Sequence, residues 1–241
     1  MTGVVEGAVS GRPRRRNPRG EGGRLREEII DAATAILERT GSEYALSLRG
    51  IAREVGITAP SISTHFADMF EIVDAVTARE TALLYQALQA ASDSTSEPIE
   101  RLLAICRAYV RYGTERPARY RILIGRRWMD AWEQRQYLSP DTNILMTAAL
   151  GLATEAIAAC AEAGCSTSRD PYYDTLILWF ALDGLVSVRS AIASIDWPRE
   201  ETLLVDCVTR AAGLTRRPPR PVEQPVARRR RADHQPATPP A

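Results

Sequence analysis

With 241 residues, 45% of them hydrophobic, the chain is long enough to build one large or two small packed domains. Its 31 basic and 30 acidic residues nearly cancel, so net charge alone argues for no polyanionic partner. No stretch reaches the roughly 18 uncharged apolar residues of a membrane span, and no apolar leader is visible.

The only histidines are His65 and His234, too few to build a His/Cys zinc site with Cys106, Cys160, Cys165 and Cys207. A cytoplasmic protein with reduced, mostly buried thiols, no metal, no cofactor and no membrane partner is expected.

The chain opens on an arginine cluster, Arg12, Arg14, Arg15, Arg16 and Arg19, and the whole sequence contains no lysine. Residues 1–23 hold too little apolar surface to offset the entropy of ordering, so they are expected to form a flexible arm. Gly11-Arg12-Pro13-Arg14 resembles the Gly-Arg-Pro core of minor-groove AT-hook segments. Arginine suits narrow, negative minor grooves and forked phosphate contacts. Contact of Arg12, Arg14, Arg15 and Arg16 with DNA is one expectation for the arm; a solubilising tail is the other.

From residue 24 to 214 the pattern is helical nearly throughout. Leu25, Ile29, Ala33, Ile36 and Leu37 mark a first helix stopped by Gly41. Leu48, Ile51, Ala52 and Val55 mark a second, stopped by Gly56, and Ile62 and Phe66 mark a short third. Ser47 and Thr58 stand at their N-cap positions. Asp68 followed by Glu71 is the acidic analogue of a capping box and predicts a long helix over about 69–91.

Ser96-Glu97-Pro98 opens a helix, and Pro117 begins a shorter one through Leu123. Ser139-Pro140 and Asp170-Pro171 each pair a cap with proline at the first helical position. They predict helices to Ala163 and to about Ile195, and a last helix covers about 199–212. No segment alternates with period two, so the fold class is all-α, with about nine helices. Residues 215–241, rich in arginine and proline, are expected to be disordered.

Two short helices joined by a tight glycine turn at 47–66 form a helix-turn-helix, whose second helix enters the major groove. The segments Ser47-Leu-Arg49-Gly-Ile51-Ala52, Val55-Gly56-Ile57-Thr58 and Ile62-Ser63-Thr64-His65-Phe66 resemble the DNA-binding domain of the TetR family of transcriptional regulators. The likeness covers 24–75. It implies a helical effector-binding and dimerisation domain at 76–214. Leu178 to Ser187 resembles a C-terminal domain type of this family marked by a Trp/Phe-x-x-x-His-Gly signature. Asp183 stands where that type carries histidine, so no role of the histidine carries over.

The resemblance implies that Ser47, Arg49, Thr58, Ala59, Pro60, Ser61, Ser63, Thr64 and His65 face DNA. Two phosphate-contacting residues of the family are replaced, a tyrosine by Ser63 and a lysine by Met69. Residues 1–80 hold 11 arginines against 12 acids, so the arm is the expected source of compensating charge.

The family also implies a homodimer on a palindromic operator, paired through about 171–195 and 199–212. Leu176, Phe180, Leu185, Val188, Leu203, Leu204, Cys207 and Val208 are expected on the pairing faces. The expected function is repression, relieved by an unknown small hydrophobic effector. Tyr109, Trp128, Trp132, Trp179, Phe180 and Asp183 are the candidate pocket residues. Asp183 is expected either to pair with an arginine, to cap a helix, or to meet a polar ligand group.

An enzyme is not expected, since no histidine remains for the body and no phosphate loop or G-x-S-x-G is present. The alternative is an architectural, A·T-preferring DNA binder without an effector.

Overall fold

The helix starts and stops follow local capping chemistry. Ser139 Oγ accepts from Thr142 N at 3.4 Å and Asp170 Oδ1 accepts from Tyr173 N at 3.0 Å, each one residue before a proline. Before Pro98 the capping side chain is Glu97, which accepts from Glu100 N at 2.7 Å.

The computed structural model describes residues 22–42, 45–124, 139–192 and 194–216, and among these the chain forms nine helices and no strand. They are α1 (Gly22–Thr40), α2 (Leu48–Val55), α3 (Ala59–Ile62), α4 (Met69–Ser92), α5 (Pro98–Glu115), α6 (Pro117–Ile124), α7 (Pro140–Glu162), α8 (Pro171–Ala191) and α9 (Glu200–Ala211). Arg12, Arg14, Arg15, Arg16, Trp128 and Trp132 lie outside the described residues.

α8 ends at Ala191, four residues earlier than the pattern predicts. There Ser190 Oγ donates back to Val186 O, and the Trp197 indole donates to Ile192 O at 2.9 Å, folding the chain over the helix end.

Two hydrophobic cores result. The first gathers Ile29, Ile36, Ile51, Ile62, Phe66, Ile72 and Val76 from α1 to α4, and it also takes in Ile122 of α6. The second gathers Leu84, Leu88, Leu102, Leu103, Ile157, Leu178, Leu204 and Val208 from α4 to α9. α4 thus belongs to both, its first half in one and its second half in the other. Leu185, Leu204 and Val208, expected on a pairing face, are buried within this chain instead. All four cysteines are free thiols, and burial pushes Cys106 and Cys160 up to about 12.

Among the described helices α7 is long and apolar enough to cross a membrane by length and composition, with a mean hydropathy of 1.8. Glu155 interrupts it, and it packs against α4, α5 and α8.

α5 packs tightly against α8 at Gly113. A Cβ there would lie 2.5 Å from Val186 Cγ1 and 3.0 Å from Tyr120 Cδ2. Gly113→Ala must therefore push α8 away. It is expected to destabilise by about 1–3 kcal/mol, read as a Tm lower by roughly 2–12 °C. An unchanged Tm would refute the close approach.

Candidate functional site

In the helix-turn-helix, Ser47 Oγ caps α2 by accepting from Gly50 N at 3.0 Å. Gly56 ends that helix at φ 76°, in the left-handed region that a side chain disfavours, and Ile57 N closes the turn on Ala52 O at 2.9 Å. Ile62 and Phe66, one turn apart, point into the core, at 0% and 2% exposure. That orientation turns Thr58, Pro60, Ser63 and Thr64 outward, with Ala59, Ser61 and His65 partly exposed beside them.

The regular part of α3 is a single turn, shorter than the spacing predicts. Hydroxyls compete with its backbone: Thr64 Oγ1 donates to Ser61 O at 2.8 Å, and Thr58 Oγ1 pairs with Ser61 Oγ at 2.8 Å rather than capping a backbone N–H. Asp68 then caps α4 by accepting from Glu71 N at 3.0 Å, while the Glu71 carboxylate accepts from Ala67 N at 2.7 Å.

Three of the six described arginines between residues 22 and 80 are paired with carboxylates. Arg39 forks onto Glu54 at 2.8 and 3.1 Å, and Arg79 meets Glu27 and Asp31. Arg24 pairs with Glu28. Arg26 instead lies over the Phe66 ring, 4.8 Å from its centroid, beside the end of the recognition segment. Arg49 and Arg53 are exposed on α2. Sequence reading named Arg49 but missed Arg26, whose signal is tertiary.

A second feature lies in the larger core. Thr81, Leu84, Leu88, Cys106, Tyr109, Tyr120, Leu123, Met146, Thr175, Leu178, Trp179 and Leu182 are among the residues around a cavity of about 80 Å³ between α4 and α8. One water needs roughly 10–15 Å³, so a molecule of about five to eight non-hydrogen atoms fits.

At one end runs a chain of hydrogen bonds. Trp179 Nε1 donates to Tyr109 Oη at 2.9 Å, the Tyr109 and Tyr120 hydroxyls pair at 2.9 Å, and Tyr120 Oη donates to Asp183 Oδ1 at 2.6 Å. Ser187 Oγ also donates to Asp183 Oδ1, at 3.3 Å. Burial pushes the Tyr109 hydroxyl up to about 12 and the Tyr120 hydroxyl higher still, so both keep their protons at ordinary pH.

Of the candidate pocket residues, Tyr109 and Trp179 line the cavity and Asp183 terminates its polar chain. The partners of Asp183 are the hydroxyls of Tyr120 and Ser187, not an arginine or a helix end. Phe180 does not line the cavity. It is stacked on Trp179, with centroids 5.8 Å apart, and is 66% exposed on the outer face of α8. Tyr120, missed at the sequence level, is the residue that joins the chain together.

The two features meet at α6. Tyr120 and Leu123 face the cavity, while Ile122 packs in the first core. Arg121 Nη2 donates to Gly41 O at 2.6 Å at the end of α1, and Arg119 bridges Glu38 of α1 at 2.7 Å and Glu80 of α4 at 3.3 Å.

Comparison with known proteins accords with this architecture. Residues 29–76 match the family model described as bacterial regulatory proteins, tetR family, and residues 102–212 match that of the tetracyclin repressor-like C-terminal domain. No curated protein matches the chain.

Among solved structures, the fold is similar to a Rhodococcus sp. RHA1 protein described as of unknown function, at 23% identity and TM-score 0.66, covering 80% of this chain and 96% of that one. It is also similar to the TetR family transcriptional regulator PfmR from Thermus thermophilus, at 19% identity and TM-score 0.57, covering 78% and 99%. A third is the transcriptional regulator FadR from Bacillus subtilis in complex with stearoyl-CoA, at 12% identity and TM-score 0.62, covering 78% and 98%. At these identities the likeness is one of fold.

Proposed function

The chain belongs to the tetR family of bacterial regulatory proteins, DNA-binding transcriptional regulators, and on that premise we propose that it is a homodimeric repressor released from a palindromic operator by a small apolar effector. The observation that carries the effector role is the double attachment of α6, with alternate residues on the cavity and on the DNA-binding unit. A ligand that displaces Tyr120 and Leu123 pulls on Glu38 and Gly41 through Arg119 and Arg121. It lowers operator affinity to the extent that it binds the displaced arrangement more tightly.

Pairing is supported by α8. Its outer face exposes Tyr173, Ile177, Phe180 and Val188, spaced as one helical stripe, with Ile177 41%, Phe180 66% and Val188 45% exposed. Leu203 and Cys207 of α9 are partly buried. Two chains related by a twofold axis at this stripe would present two recognition segments to successive major grooves. The Bacillus subtilis FadR structure holds stearoyl-CoA, a ligand with a long apolar chain, and the apolar wall here supports an apolar ligand too.

Selection of bound sites from random DNA tests this reading, run with the full chain and with a chain starting at Gly23. A palindromic consensus from both is expected, with weaker binding and a shallower salt dependence for the shorter chain, because the arm adds arginines to phosphates. Enrichment of A·T content alone would instead identify an architectural binder. Equal affinity and equal salt slope for the two chains would remove the arm from the interface.

A further inference from the structure

Resting on the reading of the cavity as the effector site, we propose that its ligand is an apolar molecule that brings its own hydrogen-bond donor, such as a hydroxyl group, and carries no negative charge. The protons along the cavity wall can be counted one by one.

Asp183, as a carboxylate, only accepts, so the 2.6 Å contact commits the Tyr120 proton to Asp183 Oδ1. The 2.9 Å contact between the two hydroxyls must then be donated by Tyr109. Trp179 Nε1–H is spent on Tyr109 Oη. The two threonines are committed as well, Thr81 Oγ1 to Thr77 O and Thr175 Oγ1 to Pro171 O, both at 2.8 Å. Among the described lining residues this engages every N–H and O–H side-chain donor and leaves the Cys106 thiol, a weak one.

What remains for a ligand is lone pairs. Tyr109 Oη and Tyr120 Oη each accept one proton and can accept a second. No arginine or histidine is among the described lining residues, and the charge behind the tyrosines is the negative one of Asp183. A hydroxyl entering this end gains a partner. A carboxylate loses its water, finds no free N–H or O–H donor among the described lining residues and faces a like charge, so its desolvation goes largely uncompensated. An ether is intermediate, uncharged but also without a proton to give.

Three probes of nearly the same length separate these terms: 1-heptanol, its isomer hexyl methyl ether, and heptanoate at pH 8. Titration calorimetry on the full chain is expected to show heptanol binding at least tenfold more tightly than heptanoate and several-fold more tightly than the ether. Heptanoate or the ether binding as tightly as heptanol would overturn the proposal. If none of the three binds, both the cavity as a ligand site and the proposal fail. The expected order without any change in operator occupancy would support the ligand chemistry while removing the effector role.

Tyr120→Phe supplies a second readout. It frees the Tyr109 proton to donate to a ligand, so the preference for heptanol over the ether should shrink to within about twofold. Persistence of the full preference in a folded variant would show that the hydroxyl chain does not set it.

Discussion

Replacing Arg119 by methionine is expected to cost about 3–5 kcal/mol of stability, the largest single effect anticipated outside the cores. Its partner Glu80 sits at 0% exposure in the middle of α4, taking Tyr112 Oη at 2.6 Å and Arg119 Nη1 at 3.3 Å. Without the guanidinium, that carboxylate keeps the Tyr112 hydroxyl and loses its ion-pair partner. The second contact of Arg119, to the half-exposed Glu38, adds less than about 1 kcal/mol because solvent screens it.

The double variant Arg119→Met, Glu80→Gln removes both charges and should recover most of the loss, since paired removal of buried ions is often neutral. Urea unfolding of the wild type, the single variants Arg119→Met and Glu80→Gln, and the double variant measures the coupling. A loss below about 1 kcal/mol for Arg119→Met would mean that another group compensates Glu80. The double variant also lacks the Arg119–Glu38 link from α6 to α1, while Arg121 still reaches Gly41 O. It should bind heptanol normally yet release DNA less completely, which separates stability from signalling.

Glu80 was legible in principle. Val73, Val76, Thr77, Glu80, Leu84 and Leu88 fall on one buried stripe of α4, so a charged residue in that register needs a partner. The partner itself was not legible, because Arg119 lies 39 residues on and nothing local marks it. The helix-turn-helix was readable for the opposite reason. The Ser47 cap, the Gly56 turn and the inward pair Ile62 and Phe66 are signals confined to 20 residues, 47–66.

α8 shows where pattern reading fails. It is apolar on nearly all sides, one side for its own core and another, as proposed, for a second chain. Periodicity therefore cannot say that Trp179 turns to the cavity while Phe180, its neighbour, turns away. Asp183, an acid within an apolar helix, marks itself in the sequence as needing a partner, but Tyr120 lies 63 residues away.

The recognition surface carries the other large effect. Ser63 is exposed at the end of α3, and the segment from Gly56 to Ala67 contains no Asp, Glu, Arg or Lys. Ser63→Glu places a carboxylate against the phosphates and is expected to lower operator affinity at least about 100-fold at moderate salt, since like charges held together cost several kcal/mol. The fold should be untouched, because Ser63 is exposed, and heptanol binding should be unchanged.

Met69→Lys tests the same surface in the other direction. Met69 opens α4 and packs its side chain along the first core. A lysine stem can cover that surface while its ammonium reaches out, at a helix-terminus cost below about 1 kcal/mol. Operator affinity should rise, and the dependence of log affinity on log salt should steepen by about 0.9, one phosphate contact's worth. Fluorescence anisotropy across a salt series reads both variants. If Ser63→Glu binds as the wild type does, α3 does not face the duplex. If Met69→Lys raises affinity without changing the slope, its gain does not come from a phosphate.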